Sequence, residues 1–301
     1  MNTHTKDITT IDRLRSYSSA FSRKVFSSIL SYSDFSQLDW LYNNVDDSKK
    51  ETQSTYLEYL SFLYKQLARS YRCEYIYKNE IINLLLLKKY CTQHTVAFNE
   101  FRVGDSIVDL AMMNGESKAF EIKTSLDSPR RLKKQLIDYR KVFNRRYVVV
   151  ESSERDYYVE HSDENTGIIT LNYEKGHINL EEYRPAEKLL SIDANVLMKC
   201  LRTREYENIV RERFGGLPNV PSYEMYEGCL NLLNELEPSE LNELFLQEVK
   251  KRKSATNRLK KTPKELRQMI LSLNLSPKNE IELIRKLNST INCESQCTTR
   301  I

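Results

Sequence analysis

Asp109, Glu121 and Lys123 are the residues whose types and spacing could do chemistry together. Glu121 and Lys123 stand two apart in "AFEIKTS", beside apolar Phe120 and Ile122. Side chains alternate faces along a strand, so Glu121 and Lys123 share one face and Phe120 and Ile122 the other. Asp109 lies in "SIVDLAMM", with "NGE" between the two segments, and Asn-Gly is a strong hairpin signal. A three-residue loop, Asn114 to Glu116, sets Asp109 opposite Glu121, Leu110 opposite Phe120 and Val108 opposite Ile122. A two-residue Asn-Gly turn shifts the pairing by one and puts Asp109 beside Phe120. A shared site therefore demands an odd-numbered loop or a bulge. The competing reading is a salt-bridged surface strand.

Two carboxylates on one face could share Mg²⁺ or Mn²⁺, since hard cations prefer oxygen ligands. Such a metal lowers the pKa of a bound water and stabilises charge on a scissile phosphate. Asp109 and Glu121 are the expected ligands, with help from the Ile122 carbonyl, and Lys123 would position or polarise the water. The next segment, "SPRRLKKQLIDYRKVF" (128 to 143), reads as a helix, with Ser128 as its cap and Pro129 in the first position. Arg131, Gln135 and Tyr139 recur every four residues and form one polar stripe, while Leu132 and Leu136 form an apolar one. Gln135 and Tyr139 would orient the site, and Arg131 would touch a phosphate. Asp127 reads as a turn or helix-entry residue.

These residues need a scaffold. Residues 13 to 70 repeat apolar side chains at helical spacing, and 71 to 90 read as one buried helix, apolar nearly all round. Three β-rich segments follow between 95 and 123, then a strand at 145 to 151 and a hairpin at 167 to 183 around Lys175-Gly176. From 186 to 291 the pattern is helical again, broken by "FGGLPNVPS". The expected organisation is a helical region 1–70, an α/β core 71–185 and a helical region 186–301.

The 301 residues carry 46 Lys plus Arg against 42 Asp plus Glu, a net charge of +4, which by itself does not predict a nucleic-acid partner. The densest positive stretch is 250–264, with eight basic residues and no acid. Lys251, Arg252, Lys253, Arg258, Lys260 and Lys261 are candidate contacts to a nucleic-acid backbone; the alternative is a solvated linker or helix face. The six cysteines read as reduced thiols of a cytoplasmic protein. The polar N-terminus lacks an apolar signal core, and "IINLLLLKKY" is too short to span a membrane. The four histidines are too dispersed for a His-based site, and Trp40 and the N-terminal aromatics are expected in the core.

"VDLAMM" with Asp109, "FEIKTS" with Glu121 and Lys123, and "QLIDY" with Gln135 and Tyr139 together resemble the PD-(D/E)xK, or restriction-endonuclease-like, nuclease superfamily. The last element is similar to the QxxxY of RecB-type nucleases. Within the superfamily, 71 to 183 resemble a bacterial and phage-associated family. Val108 stands where the name-giving proline would be. The resemblance implies an αβββαβ core, Mg²⁺ or Mn²⁺, and cleavage of DNA, in defence against foreign DNA or on mobile elements. It also implies a glutamate on the first core helix: Glu74 matches, and Glu100 is the rival. The helical flanks would choose a substrate or a partner protein. The alternative is a catalytically idle module for nucleic-acid binding or partner assembly, and a third reading is a metal enzyme acting on RNA or nucleotides.

Overall fold

Hairpins and helical crossovers set the strand order of the sheet found among the described residues. The computed structural model describes residues 9–46, 54–90, 92–125, 127–190 and 192–291. Helices α1 (Thr10–Ser19), α2 (Arg23–Tyr32), α3 (Ser36–Asn44), α4 (Tyr56–Ser70) and α5 (Glu74–Ile81) precede the sheet. Strands β1 (Val96–Val103), β2 (Ser106–Met113) and β3 (Ser117–Ile122) form an antiparallel meander. Met113 pairs with Ser117 and Leu110 with Phe120, so the loop is Asn114 to Glu116 and the register is the odd-numbered one. Gly115 turns this loop at φ +99°, a conformation glycine adopts without steric cost.

After β3 the chain crosses over through a single 3₁₀ turn (Pro129–Arg131) and α6 (Leu132–Arg140). The Ser128 hydroxyl accepts from the Arg130 N–H at 3.5 Å, at the place expected for the cap. Strand β4 (Arg145–Glu151) then lies parallel to β3, with Phe120 beside Tyr147 and Ile122 beside Val149. Helix α7 (Arg155–Glu160) leads to β5 (Gly167–Glu174), parallel to β4, and β6 (His177–Arg184) closes the sheet antiparallel. Lys175 and Gly176 form a two-residue turn between Glu174 and His177, both at positive φ, as a primed hairpin turn requires. The result is a six-stranded mixed sheet in the order β1-β2-β3-β4-β5-β6.

Helices α8 (Ala194–Cys200), α9 (Thr203–Phe214), α10 (Met225–Asn234), α11 (Pro238–Lys250), α12 (Arg267–Leu273) and α13 (Pro277–Leu287) complete the chain. One sheet face, with Leu110, Met112, Phe120, Ile122 and Val149, packs against α1 to α5 and against residues 255 to 291. The other, with Ala111, Met113, Ala119, Val148 and Val150, packs against α6 and α8 to α11. The alternation that separates polar from apolar side chains in β3 thus feeds two cores.

Two features depart from the sequence-based expectations. The helix expected over 71 to 90 winds as α only to Ile81 and as π from Ile82 to Lys89. Asn83, inside that π segment, is buried and receives Arg267 Nη1 at 2.9 Å, a long-range tie that no local periodicity announces. Trp40 is half exposed, whereas Tyr17, Phe21, Phe26, Tyr42, Tyr56 and Tyr59 are buried as expected. Cys73, Cys200 and Cys229 are free thiols; Cys91, Cys293 and Cys297 lie outside the described residues. Among the described residues no helix is long and apolar enough to cross a membrane.

Candidate active site in the fork between two strands

Strands β2 and β3 pair as far as Leu110 and Phe120. Beyond that point the Ile122 N–H donates at 2.8 Å to Oδ2 of Asp109, a side chain, where a continued ladder would offer it a β2 carbonyl. Asp109 therefore sits in a fork between the two strands. Its Oδ1 lies 3.3 Å from Nζ of Lys78, which reaches in from α5 and also lies 2.5 Å from Glu74 Oε1. Lys78 is 3 % exposed. Burial pulls its pKa down, but Asp109 and Glu74 together outweigh burial and hold it above the ordinary lysine value. Burial raises the Asp109 carboxyl, against the opposing pull of Lys78 and the Ile122 N–H.

Glu121 is 2 % exposed and faces α6. Its Oε1 receives Lys123 Nζ at 2.9 Å and Gln135 Nε2 at 2.5 Å. The Tyr139 hydroxyl lies 2.6 Å from Oε2 and 2.7 Å from the Ile107 carbonyl, and its single proton serves one of the two at a time. Lys123 Nζ also donates to Gln135 Oε1 at 3.1 Å, so Glu121, Lys123 and Gln135 close a triangle of hydrogen bonds. Despite these donors, burial and then the charge of Asp109 push the Glu121 carboxyl up to about 7. Leu132 and Leu136, one stripe over on α6, are buried in the core beneath the sheet and fix the helix that presents Gln135 and Tyr139.

The structure thus brings Asp109, Glu121, Lys123, Gln135 and Tyr139 together. Glu74 joins only through Lys78, with its own side chain 54 % exposed. Glu100 stands on β1 between the Asn99–Leu110 and Phe101–Val108 pairs, across from Asp109. At φ +56° it adopts a left-handed conformation that costs a non-glycine residue energy. That kink resets the strand's alternation: Asn99 bonds to Ser272 in α12, whereas Phe101 packs in the opposite core. The Glu100 carboxylate pairs with Arg23 at 3.4 Å, and with Glu74 and Lys78 it lines a small cavity of about 220 Å³. Asp127 closes a turn, accepting from the Thr124 N–H at 2.8 Å. Arg131 is exposed just before α6.

Among the described residues no three His, Cys, Asp or Glu side chains gather as a metal-binding group. Asp109 and Glu121 nonetheless offer a hard-cation donor set. Three carboxylates, Glu74, Asp109 and Glu121, stand against two ammonium groups, Lys78 and Lys123, so the fork carries one more negative than positive group. A divalent cation fits that excess. Lys78 is the residue that sequence reasoning passed over; its signal was a lysine within an otherwise buried helix.

In the basic segment, Arg252 bonds both oxygens of Glu205, at 2.8 and 2.6 Å, and Arg258 pairs with Glu280 at 2.9 Å. Lys251 is exposed and paired with Glu248, while Lys253, Lys260 and Lys261 are exposed. Part of the positive charge there is spent on holding helices together.

Residues 67–277 match the family model of bacteriophage P4 protein cII. The chain belongs to that family. The matched stretch runs from the end of α4 into α13 and contains every residue of the fork. No curated protein matches the chain. A solved structure, the SPO1766 protein of unknown function from Silicibacter pomeroyi, is 17% identical over 43% of this chain and 87% of its own, with a TM-score of 0.25. So low a score carries no argument about fold or function.

Proposed function

We propose that this cII-family chain is a metal-dependent nuclease that hydrolyses phosphodiester bonds in DNA. The observation that carries the reading is the closed arrangement of Glu121 with Lys123, Gln135 and Tyr139, beside Asp109 in the strand fork. Asp109 and Glu121 would hold Mg²⁺ or Mn²⁺, with the Ile122 carbonyl close by in the chain. When bound, the cation supplies a polarised water and positive charge at the phosphate. Lys123, held at Glu121 and Gln135, would orient an attacking water and offset negative charge as it develops. Gln135 fixes the lysine through Oε1 and the carboxylate through Nε2, and Tyr139 fixes the far carboxylate oxygen. Glu74 adds negative charge at the fork's mouth through Lys78.

The order α5-β1-β2-β3-α6-β4, an antiparallel meander followed by a helical crossover to a parallel strand, supports a restriction-endonuclease-like core. Membership of a phage protein family supports work on mobile elements or in defence against foreign DNA; this is association and not geometry. Such a reading places the protein in the cytoplasm, with exposed Arg131, Lys253, Lys260 and Lys261 available to a DNA backbone and the helical flanks to a partner protein.

A second reading has its own observation. Lys78 already occupies Asp109, and Glu121 has three donors, so the fork could be a charge-satisfied core of an idle binding or assembly module. The deciding experiment incubates the full chain with plasmid, linear duplex, single-stranded DNA and RNA, in Mg²⁺, Mn²⁺ or EDTA. The expected result is metal-dependent cutting of DNA that falls by about 100-fold or more in Asp109→Ala and Lys123→Ala. Cutting confined to RNA would move the substrate class. No cutting and no calorimetric Mn²⁺ binding would leave the idle module.

A further inference from the structure

A second cluster of positive charge lies away from the fork and shares no residue with it. A cavity of about 470 Å³ is walled by α4, the π segment, the β5–β6 hairpin and the chain leading into α12. Lys65, Lys88, Lys264 and Arg267 line it, drawn from three distant stretches of sequence, and among the described residues none of the four has a carboxylate within ion-pair distance. Three, Lys65, Lys88 and Lys264, are exposed. Arg267 is half buried and preset: Nε donates to the Thr262 carbonyl at 3.2 Å and Nη1 to Asn83 at 2.9 Å, while burial pushes its pKa down.

From this arrangement we infer a binding site for a nucleoside phosphate unit. A fixed guanidinium among exposed ammonium groups suits an anion with several oxygens. The volume greatly exceeds what a bare phosphate fills and falls in the range of small-molecule pockets. Two further lining groups suit the rest of a nucleotide. Tyr173 lines the same cavity and brings an aromatic ring, the kind of group on which bases stack. Glu80 is the cavity's carboxylate; its Oε1 takes the Tyr64 hydroxyl at 2.5 Å and Asn83 Nδ2 at 3.2 Å, which leaves Oε2 to accept from a base amino group. The nucleotide could be free or part of a strand, and the chemistry is the same. The inference does not depend on the nuclease reading.

The test is binding in EDTA, so that cleavage plays no part. The full chain is titrated with adenosine 5′-monophosphate, with adenosine, and with a fluorescently labelled single-stranded oligonucleotide lacking terminal phosphates. The double variant Lys88→Glu/Lys264→Glu, both exposed positions, is compared with Lys199→Glu on α8. Binding of the monophosphate but not adenosine, weakened at least tenfold in the double variant and unchanged in Lys199→Glu, supports a free-nucleotide site. Binding of the oligonucleotide alone with the same variant pattern supports a strand site. Absence of both, or binding that the folded double variant retains in full, overturns the inference. None of these outcomes bears on metal-dependent cutting at the fork.

Discussion

Glu121 accepts hydrogen bonds from Lys123, Gln135 and Tyr139 and still binds a proton more tightly than an exposed glutamate, because burial and Asp109 outweigh them. The sign for stability follows. Between the ordinary value of 4.5 and about 7, the folded chain holds the Glu121 proton better than the unfolded chain does. Stability contributed by this group is complete below that window and lost as pH rises through it. In EDTA, the melting temperature of the natural chain should fall relative to Glu121→Gln across this range and run parallel above it. A constant difference would mean that Glu121 titrates normally. Lys78 carries the second prediction. Replacing it by Met leaves the half-buried Asp109 with only the Ile122 N–H, and should cost about 1–3 kcal/mol in urea denaturation without metal. Mn²⁺ should restore part of that loss, and add more to the variant than to the natural chain, if cation and lysine compete for Asp109. Five of the fork's residues were legible in sequence because their relations are local: face alternation for Glu121 and Lys123, four-residue spacing for Gln135 and Tyr139, and one short loop for Asp109. Lys78 was half legible. Its bond to Glu74 follows from helix geometry, but its bond to Asp109 depends on how α5 lies on the sheet, which no spacing encodes.

The elements divide in the same way. Two of the three hairpins could be read from their turn residues, Asn114-Gly115 and Lys175-Gly176, because the turn conformation is a property of those residues themselves; the Gly104-Asp105 turn between β1 and β2 was not singled out. The π winding over Ile82–Lys89 and the kink at Glu100 could not, since contacts from elsewhere impose them. Gly167 is the clearest case. At the start of β5 it looks like an ordinary boundary glycine. In the fold it pairs with Tyr147, and an added Cβ would come 2.5 Å from the Tyr147 ring and 2.8 Å from the Ala186 nitrogen. That ring stacks on Phe120 with centroids 5.2 Å apart, immediately next to Glu121. Gly167→Ala should therefore cost about 1–3 kcal/mol, as overpacking does, and thermal melting checks it. A neutral substitution would show that β4 and β5 can part locally at no cost.

At the scale of the whole molecule, strands β1 to β4 are covered on both faces, by α1 to α5 with residues 255 to 291 on one side and by α6 with α8 to α11 on the other, while the edge strand β6 stays largely exposed. The two ends of the chain are also tied to each other. Lys286 Nζ donates to the Ile29 and Leu30 carbonyls at 3.1 and 2.7 Å, and Thr55 bridges to Thr290. The helix bearing Lys78 is held from the C-terminal side, where Tyr75 donates to the Glu265 carbonyl at 2.6 Å and Asn79 to the Lys264 carbonyl at 2.7 Å. Removing either flank would expose apolar sheet and loosen α5, and with it the partner of Asp109. The fragment 71–185, expressed alone, should therefore lack a cooperative urea transition and the near-ultraviolet circular dichroism of packed aromatics, while the full chain shows both. A fragment that unfolds cooperatively with native-like aromatic signals would mean that the core holds its own shape, and that the flanks serve recognition and not stability. With the expected result, any contact that shifts α12 or α13 also bears on the fork, because those helices and Lys78 share one core.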